Sequence, residues 1–187
     1  IDWLCLPRPD SPPVFGRILD QEGGHFSIDP SVPLSETTSK QHYLPNTNIL
    51  VTTVSLPNGD AYQITDFCPR FLQYGRVYRP TALFRIVEPL SGTPSIRVCC
   101  KPVSGWDKTP VRFVRGNSHF RYDIRGEYLR LLTDMPLTYL CEETPVALTS
   151  KMYFALTWGI GIEDDLVKVS HEFLDQTTKY WRIWVKH

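Results

Sequence analysis

No apolar run in the 187 residues approaches the roughly 20 needed to cross a bilayer, and nothing at Ile1 resembles a signal peptide. No membrane partner is expected, and the chain reads as soluble and cytoplasmic. Net charge is missing too. Twenty basic and 20 acidic residues cancel, so no overall field draws the protein toward nucleic acid or a lipid surface. There is no phosphate-cradling glycine loop and no strand-helix alternation of a dinucleotide fold. No Cys-x-x-Cys pair occurs. Cys5, Cys68, Cys99, Cys100 and Cys141 are odd in number and dispersed, which reads as buried free thiols in a reducing compartment rather than a disulfide framework. The histidines His25, His42, His119, His171 and His187 are scattered as well, so no zinc site and no other cofactor is expected.

What is present is β-branched and punctuated by turn residues. Asn48 to Leu56 and Ala61 to Cys68 flank Pro57-Asn58-Gly59-Asp60, where proline presets the first turn position and Gly59 can take a left-handed conformation. This is the clearest hairpin in the chain. Thr81 to Glu88 and Ser95 to Lys101 read as a second hairpin through Pro89 to Pro94. Further strands are expected at Ile1 to Leu6, His25 to Ile28, His42 to Leu44, Val111 to Arg115, His119 to Ile124, Tyr128 to Thr133, Leu137 to Cys141, Val146 to Thr149 and Met152 to Trp158. Pro30 to Lys40 reads as a polar linker, and Pro13 to Asp20, capped by Asp10 or Ser11, as a short helix. Strands of this length and spacing predict an all-β antiparallel sandwich.

The last segment differs in kind. Glu163-Asp164-Asp165 favour a helix start, and Leu166, Val169, Phe173, Tyr180 and Trp184 then recur near helical period, with Trp181, Ile183 and Val185 widening the apolar face. Such a helix either folds back on the sheet or packs on a partner outside the chain, and the second is expected. With the abrupt opening on Ile1-Asp-Trp-Leu-Cys-Leu6, both ends suggest a piece of a longer protein.

Few residues suggest chemistry. Glycosidase action needs two facing carboxylates, but Glu142 and Glu143 are neighbours that would point to opposite faces of a strand, and Asp164 and Asp165 suit a helix N-terminus. Ser118-His119 lacks the context of a hydrolase nucleophile. From Lys101 to Arg130, Lys101, Lys108, Arg112, Arg115, Arg121, Arg125 and Arg130 interleave with Trp106, Phe113, Phe120 and Tyr122. That pattern is either a platform for single-stranded nucleic acid or an anionic glycan, or an ordinary sheet with an arginine-rich polar face; net neutrality argues for the latter. Trp106 and Trp158 are candidates to stack on a sugar ring, against the commoner fate of core tryptophan.

Ile1-Asp-Trp-Leu-Cys-Leu-Pro-Arg8, followed by Asp10-Ser11-Pro12 and Val14-Phe15, resembles the N-terminal domain of glycoside hydrolase family 15, the glucoamylase, glucodextranase and trehalase-like enzymes. Thr65-Asp66-Phe67 with Pro69-Arg70, Arg85 to Glu88 with Leu90 and Gly92, and Tyr180-Trp181-Arg182-Ile183-Trp184 follow in that family's order. Many members read Arg-Phe-Asp-Ser-Pro where this sequence has Pro9, and a preceding strand ending in Gly-Ser is absent. The resemblance implies a β-sandwich of the super-sandwich type over residues 1–162 and a linker helix over 163–187. That helix would lead to an (α/α)₆ barrel carrying the two glutamates of an inverting mechanism. No catalytic residue then falls in this chain, which would support the barrel and shape its cleft. Tyr180, Trp181, Arg182 and Trp184 are the expected interdomain contacts, with Trp3, Arg8 and Asp10 as a second set, although an internal Arg8 to Asp10 ion pair accounts for those two more simply. The alternative is a free-standing module binding α-glucan or trehalose.

Overall fold

A computed structural model describes residues 1–186. Along the chain run β1 (Leu4–Cys5), β2 (Pro13–Phe15), β3 (His25–Pro30), a 3₁₀ turn (Leu34–Glu36), β4 (Thr38–Tyr43), β5 (Leu50–Ser55), β6 (Ala61–Phe67), β7 (Phe71–Gln73) and β8 (Arg76–Tyr78). There follow β9 (Ala82–Ser91), β10 (Ser95–Lys101), β11 (Val103–Ser104), β12 (Thr109–Pro110), β13 (Arg112–Arg115), β14 (His119–Ile124) and β15 (Glu127–Thr133). Helix α1 (Leu137–Glu142), β16 (Val146–Ala147), β17 (Met152–Trp158) and helix α2 (Leu166–Trp184) complete the order. Eight strands form one antiparallel sheet in the order β13-β14-β15-β17-β9-β6-β5-β4, and β16-β10-β3 form a smaller one. The fold is the all-β antiparallel sandwich expected.

The core lies between these sheets. Phe26, Ile28, Ile96 and Val98 of the small sheet meet Tyr62, Ile64, Val87, Leu129, Leu131, Phe154 and Leu156 of the large one. Each such side chain stabilises the fold by about 1.5–3 kcal/mol relative to exposure. Strand alternation sends the intervening residues outward, where Ile49, Phe67, Phe84, Ile86, Tyr153 and Ala155 form a second layer under α2. The central strands are therefore apolar on both faces.

One inward position breaks the apolar pattern. Arg85 on β9 stands opposite Asp66 on β6 and is only 4% exposed. Its Nε and Nη2 donate to the two Asp66 oxygens at 2.8 and 3.3 Å, and its Nη1 donates to the Phe26 carbonyl of the small sheet at 2.8 Å. The guanidinium also lies 4.6 Å over the Phe26 ring. The bonds to Asp66 lock β9 to β6 within the large sheet, and the contacts with Phe26 tie that sheet to the small one.

The opening hairpin is as expected: β5 and β6 pair from Leu50↔Asp66 to Ser55↔Ala61, with Gly59 at φ 88° closing the turn. Several other expectations are corrected. Pro13 to Asp20 is not helical, because Val14 and Phe15 are wholly buried on β2 and the Gly16 N–H donates to Gly23 O at 2.7 Å. A Cβ added at Gly23 would fall 2.7 Å from the Gly16 carbonyl oxygen. The second hairpin does not form. Both edges of β9 are taken, by β6 and β17, so Pro89 to Pro94 carries the chain across to the small sheet, where β10 pairs with β3.

Leu137 to Cys141 is helix α1, in which Leu137 and Leu140, one turn apart, are the buried residues. The supposed linker before Lys40 contains the 3₁₀ turn and the first residues of β4. All five cysteines are free, but Cys68 and Cys141 are exposed rather than buried. Burial pushes the Cys99 thiol up to about 11 and the Cys100 thiol to about 12, so both stay protonated and inert at neutral pH. Helix α2 begins where the acidic run ends: Asp165 caps it by accepting from the Lys168 N–H at 2.8 Å. No described helix is long and apolar enough to cross a membrane.

Two predictions follow from this packing. Arg85→Ala leaves Asp66 buried without its partner and is expected to destabilise by about 3–5 kcal/mol in urea unfolding, whereas Arg85→Met with Asp66→Leu recovers most of that loss. A double variant as unstable as the single one would remove the ion pair from this account. The second concerns His25, across the ladder from Lys101. Burial, then Arg17 and Lys101, hold its imidazole below the ordinary value of about 6.5. The unfolded chain then binds the proton more readily, so this contribution to stability is intact above about pH 6.5 and is lost as pH falls from there through the folded value. His25→Gln should flatten that part of the stability profile, which equilibrium unfolding across pH 5–7.5 would measure.

Candidate interdomain face

Helix α2 outruns the sheet it covers. Its first half packs on the outer layer, with Val169 buried and Phe173 edge-on to Phe84 at 5.5 Å, and the Tyr153 hydroxyl meets His171 Nε2 at 2.8 Å. Its second half meets the β7–β8 hairpin instead. Tyr74 and Gly75 both have positive φ, 51° and 72°, the conformation a two-residue hairpin turn requires. Phe71, buried at the base of the hairpin, packs with its ring tilted against Phe173 at 5.1 Å and Tyr78 at 5.0 Å.

Arg70 fixes the helix end. Its backbone N–H donates to Oγ1 of the buried Thr177 at 3.1 Å, and its Nε donates to the Tyr180 hydroxyl at 3.2 Å. The guanidinium carbon lies 5.5 Å from the Tyr180 ring and 5.6 Å from that of Trp181, within cation–π range. Tyr180, Trp181 and Trp184 continue edge-to-face at 5.5 and 5.6 Å. The Trp181 indole N–H is buried without a partner among the described residues.

Beside this fixed ladder lies an uncovered apolar groove of about 660 Å³, lined by Phe71, Leu72, Tyr74, Tyr180, Ile183 and Trp184. Leu72, Ile183 and Trp184 are each at least 60% exposed and Tyr74 is 95% exposed. Arg182 is exposed in the last helical turn, where a cation suits the carbonyl end of the helix. So of the four expected contacts on α2, Tyr180 and Trp181 are half-buried against Arg70, while Arg182 and Trp184 face outward.

The second expected set lies elsewhere. Arg8 and Asp10 form an exposed ion pair at 3.1 Å. Their loop borders a cleft of about 560 Å³ shared with Cys68, Arg79, Pro80 and Leu83. The segment from Cys68 to Pro80 thus lines this cleft at its two ends and the helix groove at its middle. Trp3 leans on Trp106, centroids 5.8 Å apart, and both are exposed. Trp158 is corrected: at 8% exposure it is a core residue, with the Arg125 guanidinium 5.7 Å over its ring, and no free face is left for a sugar. Of the interleaved aromatics, Phe120 and Tyr122 are buried and Trp106 and Phe113 are exposed.

One member of each carboxylate pair has a structural role. Asp165 caps α2, and Glu143, in left-handed conformation at the end of α1, pairs with Lys101. Among the described residues no group of three or more metal-ligating side chains occurs, and His187 lies outside them. Arg70, Leu72 and Tyr74 were not among the expected contacts. A Tyr-Gly turn between short β-rich triplets was the sequence signal for their hairpin.

Comparison with known proteins places the chain. It is 28% identical over 215 residues to a trehalase of Mycobacterium tuberculosis, an alignment covering 99% of this chain and 30% of that protein. It is 30% identical over 194 residues to a trehalase of Thermoplasma acidophilum, covering 100% of this chain and 33% of that protein. Over 69 residues, 37% of the chain, it is 45% identical to Trehalase 1 of Sulfolobus acidocaldarius. The chain thus spans about a third of the length of the curated relatives that it matches along its whole length. No solved structure matches it. The family profile described as "Trehalase-like, N-terminal" matches residues 1–128, and the chain belongs to that family.

Proposed function

We propose that this chain is the noncatalytic β-sandwich domain of a trehalase-type α-glycoside hydrolase of family 15, and that it supports an (α/α)₆ catalytic barrel. The observation that carries this reading is the apolar groove between the β7–β8 hairpin and the end of α2. Leu72, Tyr74, Ile183 and Trp184 present to solvent a surface whose fixed backing, Arg70 on Tyr180 and Trp181, is already built. Exposed contiguous apolar surface of this kind marks an interaction site. The occupant is the barrel, since about two thirds of each of the relatives named trehalase, roughly twice this chain's length, lies outside the aligned region. Catalysis belongs to glutamates of that barrel, and the chain's own carboxylates serve its fold.

Two variants test the reading in a protein that joins this chain to its catalytic region. Trp184→Ala with Ile183→Ser removes only exposed side chains, so the isolated chain should lose no more than about 0.5 kcal/mol. The joined protein should lose about 2 kcal/mol or more, the scale of a buried aromatic anchor. Equal losses in both settings would sink the docking role. Arg70→Ala, by contrast, is expected to cost the isolated chain about 1–2 kcal/mol and to change its tryptophan emission, because the helix end loses its hydrogen bond to Tyr180.

A second reading, binding of α-glucan or trehalose by the chain itself, is favoured by the exposed Trp3 and Trp106 pair. Tilted indoles side by side suit the apolar faces of pyranose rings. Titration with trehalose and maltooligosaccharides should then quench tryptophan emission saturably, and Trp106→Ala should abolish the response; an unresponsive native chain at millimolar sugar would end this reading.

A further inference from the structure

The outer face of the large sheet is divided. Over β6, β9 and β17 it is covered by α2, which also reaches Leu132 at the end of β15, but over β13, β14 and the rest of β15 it faces solvent. On that uncovered part Arg121 of β14 stands directly opposite Arg130 of β15. Side chains so placed have Cβ atoms about 4.5–5.5 Å apart, and like charges there are destabilising. Both arginines are half-buried.

Each is also positioned. Arg121 lies over the Tyr128 ring, its guanidinium carbon 4.6 Å from the centroid, which occupies one face of the cation and leaves its N–H edge free. Arg130 reaches the loop ahead of α2, where a Cβ added at Gly161 would fall 2.8 Å from its Nη1; glycine there makes room for the guanidinium. Among the described residues neither arginine makes an ion pair. Of the other cations of this basic stretch, four are engaged, Lys101 with Glu143, Lys108 with Asp20, Arg115 with Thr138, and Arg125 with the carbonyls of Leu6 and Pro12, and Arg112 stands across the ladder from Asp123. Asp123 shares the face but stands opposite Tyr128 on one side and Arg112 on the other. Glu163 and Asp164 follow Gly161 and make no ion pair with either arginine.

We propose that Arg121 and Arg130 form a clamp for a phosphate group. A carboxylate is satisfied by the two parallel N–H donors of one guanidinium. Two guanidiniums with no acid between them offer twice that number, which suits an anion whose oxygens point in more than two directions. The bound anion would also relieve the repulsion that the empty pair carries. The proposal is independent of the barrel-docking reading, because it concerns a different part of the sheet.

The test is titration of the chain with inorganic phosphate at constant ionic strength, read by thermal melting and by phosphorus NMR line broadening. The melting temperature should rise saturably with phosphate and not with chloride. Arg121→Gln and Arg130→Gln should each weaken binding about tenfold or more, the loss of one charge-assisted contact. In phosphate-free buffer both variants should melt at or above the temperature of the unaltered chain, a result that an arginine needed for folding would not give. Arg97→Gln, on the small sheet, should bind phosphate normally. Glucose 6-phosphate binding more tightly than phosphate would assign the clamp to a phosphate ester, and equal binding to free phosphate. No saturable response, an unchanged response in the Arg121→Gln, Arg130→Gln double variant, or acetate binding as tightly as phosphate would each overturn the proposal.

Discussion

The rest of the sandwich depends on one buried cation. Arg85 reaches Asp66 on its own sheet and Phe26 O on the other, so a single side chain fixes the register of β6 against β9 and the placement of β3 beneath them. A buried ion pair adds little net stability over an apolar pair of the same volume, but it is intolerant of misalignment, since a shifted partner leaves a charge unpaired in the core. Phe26 also joins the N-terminal segment by exchanging backbone hydrogen bonds with Ile1 at 2.8 and 3.0 Å. The loop that follows, through Arg8 and Asp10, is therefore positioned indirectly by the same arginine. Asp66 and Arg85 lie within two of the motifs that carry the family resemblance, and the structure gives those motifs a reason in folding rather than in chemistry.

Much of the fold was legible from local signals. The hairpin around Asn58-Gly59 and strand β17 follow from turn chemistry and β-branched or aromatic runs, and the start of α2 follows from its acidic cap. The failures share a cause, which is that pairing across the sandwich is decided by burial on both faces and not by nearness in sequence. The segments Thr81 to Glu88 and Ser95 to Lys101 look like hairpin partners until β9 is seen to have β6 on one edge and β17 on the other. Leu137 and Leu140 read equally as strand or as one helical face over so short a run, and only the neighbouring core decides.

The candidate site was legible in its aromatic part and silent in its support. Tyr180, Trp181 and Trp184 stand out by composition and period, whereas Arg70 is more than 100 residues away and nothing in sequence links it to them. Trp106 and Trp158 show the same limit from the other side. Both sit in strand-rich sequence and have the same aromatic payload, yet one is 63% exposed on a turn and the other lies in the core.

Geometry explains why the apolar surplus gathers where it does. Nineteen helical residues span about 28 Å, whereas the second layer that α2 covers is built from only the middle strands of the sheet. The buried positions Val169, Ser170 and Thr177 stop short of the last two turns, and the β7–β8 hairpin takes over as support from Phe173 onward. A three-residue strand on each side is too short to cover a helix, so it can back the Tyr180 face and leave the Ile183 and Trp184 face open. Trp184 and Ile183 on that open face belong to neither core cluster, and Trp184 meets the domain through the edge of Trp181. Under the proposed docking role, these are the two side chains that the catalytic barrel would cover.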